Sequence, residues 1–90
     1  MQWDHLPGGD LVEQGLRDLA AGRESVGALL VSIGAPRLAL LLELPAAPLP
    51  DAEHRLYALL AAQDSDSAHS RYNAYLRRLV SFERAAESVR

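Results

Sequence analysis

Apolar residues recur at helical spacing along most of the chain. Leu11, Val12, Leu16, Leu19 and Ala20 fall three and four apart with Glu13, Gln14, Arg17 and Asp18 between them, which predicts an amphipathic helix. Pro7-Gly8-Gly9 in front of it is a turn signal, so residues 1–9 read as an irregular lead. Asp10 is expected to cap the helix, because its carboxylate can accept from the free amides of the first turn. Gly22 is placed to end it in the left-handed conformation. Ser25 suits the cap of a second helix with Val26, Leu29, Leu30 and Ile33 as its buried face, and Gly34 ends that helix. Pro36 then opens a third helix over about 36–43, where its missing amide costs nothing. Leu38, Ala39, Leu40, Leu41 and Leu42 make this third helix apolar on nearly all sides, the mark of a helix buried all round.

Residues 44–50 read Leu-Pro-Ala-Ala-Pro-Leu-Pro, an extended connector of the polyproline type between two helical halves. Asp51 caps a fourth helix through about Gln63, with Glu53 in its first turn and Leu56, Tyr57, Leu59 and Leu60 among its apolar positions. Asp64-Ser65-Asp66-Ser67 is a turn, and Asp66 or Ser67 caps a final, longest helix that runs to about Glu87. Its apolar stripe is Ala68, Tyr72, Tyr75, Leu76, Leu79, Phe82 and Ala86. The pattern predicts an all-α fold: a compact bundle of four to five short helices, the third at its centre, with a long C-terminal helix packed across the rest.

Composition adds three constraints. Ninety residues make one domain, and a chain this short buries only about 60–65% of the surface its unfolded form exposes. Cysteine is absent, so neither disulfides nor thiolate metal sites supplement the core, and a partner or a homodimer is expected to add stability. The net charge of −3 argues against binding nucleic acid by bulk electrostatics. All nine basic residues are arginine, a usage that a GC-rich genome produces unaided. Charge is uneven, however. Residues 66–90 carry five arginines against three acids, a balance of +2, which leaves −5 on the preceding 65 residues. The last helix is therefore expected to pack its arginines against an acidic body. The most apolar stretch, residues 26–44, is interrupted by Pro36, Arg37 and Glu43 and reads as core and not as a membrane span. No signal-peptide pattern opens the chain, which points to the cytoplasm.

Candidate chemistry is sparse. Residues 25–43 offer helix, glycine and helix in the manner of a helix-turn-helix, but the second helix presents Arg37 and Glu43 and otherwise leucine and alanine, where base reading needs outward polar side chains. His5, His54 and His69 share no ligand spacing, and helix capping accounts for Asp64 and Asp66. No nucleophile elbow, phosphate loop or zinc-hydrolase motif is present, so no catalytic residue, cofactor or metal is assigned. Glu24-Ser25-Val26 resembles, over three residues, the phosphopantetheine attachment site of acyl carrier proteins, which place Asp-Ser-Leu at a helix start. The link from the preceding helix is far shorter here than the long loop of those carriers.

What remains is the arginine-rich last helix. His69, Arg71 and Asn73 in its first turns, followed by Arg77 and Arg78, form a candidate interaction or anion-binding cluster. Tyr72, Tyr75, Leu76, Leu79 and Phe82 form a candidate self-association seam. The expected function is a small protein-interaction or assembly module (an accessory subunit, adaptor or antitoxin-like partner), with a helix-turn-helix-like nucleic-acid regulator as the alternative.

Overall fold

The computed structural model, which describes Trp3 and residues 5–89, is built from five helices: α1 Gly9–Ala20, α2 Val26–Ile33, α3 Ala35–Leu38, α4 Ala52–Gln63 and α5 Ala68–Ser88. The predicted all-α architecture with a long last helix is the one observed, and no strand occurs among the described residues.

The helix at the centre is α2, not the expected third helix. Residues 27–32 are buried without a break, and α2 packs against each of the other four helices. Small residues make this possible. A Cβ on Gly15 of α1 would lie 2.3 Å from the Gly27 carbonyl oxygen, so the two backbones meet directly. The third helix, expected over 36–43 and buried all round, is instead a single turn. Leu38 is fully buried, whereas Pro36 and Ala39 are exposed and Leu40 is 68% exposed. Two causes act together: Pro45 disfavours helical geometry at Leu44, and α2 already occupies the centre where an apolar cylinder would have to lie. Leu41, Leu42 and Leu44 still pack on the core as the chain turns away.

Local chemistry fixes the connections. Gly22 adopts φ +73°, and the Arg23 and Gly22 amides donate to the Asp18 and Leu19 carbonyls at 2.8 and 3.1 Å, closing α1 as the sequence suggests. Ser25 caps α2 by accepting from the Ala28 amide at 3.1 Å, and its hydroxyl donates to Asp18 at 2.8 Å. Ser32 pins the connector: its buried hydroxyl donates to the Ala28 carbonyl and accepts from the Leu49 amide at 2.9 Å. Three caps differ from expectation. Gly8, at φ +72°, caps α1 and leaves Asp10 in the first turn. Asp51 precedes α4 but is held at φ 55° and makes no side-chain cap, and Ser67 precedes α5 with its hydroxyl turned back to Asp64.

The inner face of α5 completes the core. Leu79, Phe82 and Ala86 are buried, and Trp3 from the lead meets Phe82 edge-on at 5.9 Å.

Candidate interaction surface

A helix turns about 100° per residue, so the polar cluster at the start of α5 cannot face one way. His69, Asn73 and Arg77 lie on one flank of the helix, and Arg71 and Arg78 lie on the other. On the second flank, Arg71 donates to Gln63 at 3.0 Å and Arg78 approaches Asp10 at 3.6 Å, with Ala74 and Tyr75 between them. On the first, the Asn73 amide and the His69 ring pair at 3.3 Å. Among the described residues, the expectation that the arginines of the last helix pair with an acidic body thus holds for Arg78 alone, and Arg90 lies outside the described residues.

The main ion pairing runs the other way, from α3 to α5. Arg37 grips Glu87 with two parallel hydrogen bonds of 2.8 and 2.6 Å and reaches Glu83 at 3.4 Å. Burial pushes the Glu83 carboxyl above its ordinary range, the Arg37 guanidinium pulls it back, and Glu87 adds to the rise. Arg37 is therefore fixed to its own chain, and α3 spans about 6 Å. Neither the length nor the free side chains of a recognition helix are present there.

The proposed self-association seam is internal at its centre. Leu79 is 4% exposed and Phe82 fully buried, while Tyr72, Tyr75 and Leu76 pack partly on the core. Tyr72 also meets Tyr57 of α4 at 5.6 Å, and burial raises its hydroxyl pKa with a further push from Glu53. The acidic turn before α5 is satisfied by itself: Asp64 accepts from the Asp66 amide and the Ser67 hydroxyl. Among the described residues, no three of His, Asp and Glu converge as a metal site.

A different surface stands out. Asn73, Leu76, Arg77, Val80, Ser81 and Arg84 form the outward strip of α5, a shallow open depression. Six residues of one helix cannot enclose a ligand, and a partner would have to supply the opposite wall. Leu76 and Val80 continue into a mostly apolar cleft with Ile33 and Pro36 at the α2–α3 corner. Arg77 and Arg84 are exposed, and they are the two described arginines for which no hydrogen bond or ion pair forms. Arg84, Val80, Ile33 and Pro36 were absent from the sequence-derived set. The seven-residue spacing of Arg77 and Arg84, which returns to the same helix face, is the signal that could have found the strip. No helix among the described residues is long and apolar enough to cross a membrane. No protein-family model, curated protein or solved structure matches the chain.

Proposed function

We propose that this chain is a small helical protein-interaction or assembly module that acts in the cytoplasm as an accessory subunit, adaptor or antitoxin-like partner. The observation that supports this reading is the continuous surface formed by the outer strip of α5 and the α2–α3 corner. There, partly exposed apolar side chains adjoin two arginines that have no partner among the described residues. Surfaces of this composition, apolar at the centre with arginine beside it, suit contact with another protein. The Leu79 and Phe82 part of the seam lies inside the fold, so a partner meets the chain elsewhere.

The test is a pull-down of the tagged chain from its native lysate, paired with sedimentation analysis of the purified protein across concentration. A stoichiometric protein partner, or a mass that doubles with concentration, supports the reading. A monomer that retains only nucleic acid through moderate salt overturns it in favour of the regulator alternative.

A further inference from the structure

Resting on the interaction reading, we infer that the outer strip of α5 docks an acidic amphipathic helix of another protein. Its carboxylates would pair with Arg77 and Arg84 and its apolar row would cover Leu76, Val80, Ile33 and Pro36.

The argument begins with which arginines are satisfied. Arg17 is held by Gln14, Arg23 by Asp18, Arg37 by Glu83 and Glu87, Arg55 by Glu24, Arg71 by Gln63 and Arg78 by Asp10. Arg77 and Arg84 have no such partner among the described residues, and both line the same strip. Seven residues separate them, two helical turns, so their stems rise from one face about 10.5 Å apart. A helix laid alongside repeats its own side chains at the same interval, and acids spaced by seven positions meet both arginines at once. A guanidinium favours carboxylate because its planar fork offers two parallel donors.

The apolar half of the surface then separates a protein from a nucleic acid. Val80 is 36% exposed and sits between the two arginines in sequence, and beside it the cleft of Ile33, Pro36, Leu76 and Leu79 is lined mainly by hydrocarbon, with Arg37 and Glu83 at its edge paired to each other. Phosphate backbones have no use for such a wall, whereas the apolar stripe of an amphipathic helix does.

A second copy of the chain does not fit the same strip. A two-fold axis near Val80 and Ser81 that pairs the helices antiparallel sets Arg77 of each copy against Arg84 of the partner subunit. A parallel pairing sets each arginine against itself. Both gather four guanidinium groups, while Glu83 in the adjoining cleft is already paired with Arg37.

The experiment installs a photo-activatable phenylalanine analogue at position 80 and, in separate samples, at position 17 on α1. Crosslinking is carried out with the full chain in its native cells, and the attached segment is sequenced. The expected result is that position 80 captures a segment with acids at seven-residue spacing beside an apolar helical row. A synthetic peptide of that segment binds the purified chain, and the Arg77→Glu, Arg84→Glu double variant weakens that binding at least tenfold. Replacing the peptide's acids by lysine restores it. Both arginines are exposed, so an unchanged circular dichroism melt separates lost binding from lost fold. Capture from position 80 of RNA, a second copy or a segment without acids overturns the inference. Protein captured only from position 17 overturns it too, but leaves the interaction reading standing. No capture from either position removes both.

Discussion

The contact between α1 and α2 and the outer strip of α5 belong to the same small fold and are built on opposite terms. At the first, Gly15 and Gly27 let two backbones touch, and the turn that follows is fully paired through Asp18, Ser25 and the amides of Gly22 and Arg23. Gly15 and Gly27 are small because a larger residue would collide with the facing backbone, and Gly22 is glycine because its φ is positive. At the second, two arginines extend from a helix whose inner side is fully engaged, and Val80 between them stays partly open. The first region is determined by internal volume and hydrogen bonding. The arginines of the second meet no such internal demand among the described residues, which is where a function of recognition can reside.

The inner side of α5 provides the strongest way to break this contrast. Phe82 is fully buried and meets Trp3 edge-on. Phe82→Ala is expected to cost about 3–5 kcal/mol, through lost transfer energy and the cavity left behind. Urea denaturation measures it. A loss under about 1 kcal/mol would mean that α5 rests on the bundle without belonging to its core.

Next in size is the glycine contact. A methyl group on Gly15 lies within 2.6 Å of both the carbonyl carbon and oxygen of Gly27, and backbone cannot rotate away as a side chain does. Overpacking of this kind costs about 1–3 kcal/mol, against which alanine returns about 1 kcal/mol of helix propensity. Gly15→Ala is therefore expected to lower the urea midpoint, whereas propensity alone would raise it. The sign of the shift decides whether the two helices meet at backbone distance.

A smaller effect separates the two halves by pH. Glu83 lies buried under Arg37, and its folded pKa stands above the ordinary value of 4.5. A carboxyl with a raised folded pKa binds its proton more readily in the native state, so its contribution is present at low pH and fades as pH rises through the folded pKa. Asp18 does the reverse. Hydrogen bonding from Ser25 holds its pKa below 3.8, so its contribution is present above that value and is lost as pH falls through the folded pKa. Thermal melts from pH 4 to 7 are expected to show a decline with rising pH in the wild type that Glu83→Gln removes. Asp18→Asn alters the profile only below that range. Identical profiles for wild type and Glu83→Gln would place Glu83 in water.

The fold was more legible than the surface, for physical reasons. Ser25 and Gly22 act through neighbours within seven residues, and the sequence displays such neighbours directly. The run from Leu38 to Leu42 misled because five apolar residues state that burial is available, not in which geometry, and Pro45 bends the chain before a helix can use them all. The fork from Arg37 to Glu87 spans fifty residues and depends on how α3 lands against α5, which no local pattern encodes. The cluster from His69 to Arg78 was compact in sequence but is split by the helical turn between two flanks. Its outward flank is completed by Arg84, beyond the cluster, which only helical geometry connects to Arg77.

The smallest expected effect sharpens the contrast most. Arg77→Ala and Arg84→Ala, singly or together, are expected to leave stability within about 0.5 kcal/mol of wild type, because neither side chain has a partner among the described residues to lose. Their mutual repulsion is also slight: two unit charges about 10.5 Å apart in water interact by roughly 0.4 kcal/mol, and salt at physiological strength screens beyond about 8 Å. Arg37→Ala serves as the comparison, since it leaves the buried Glu83 carboxylate without its counter-charge and should lower the melting temperature visibly. Thermal denaturation of these four variants at one pH is sufficient. A double variant at Arg77 and Arg84 that melts as early as Arg37→Ala would show that the outer arginines hold the fold together. With a near-wild-type melt, any loss of partner binding in those variants belongs to the surface itself.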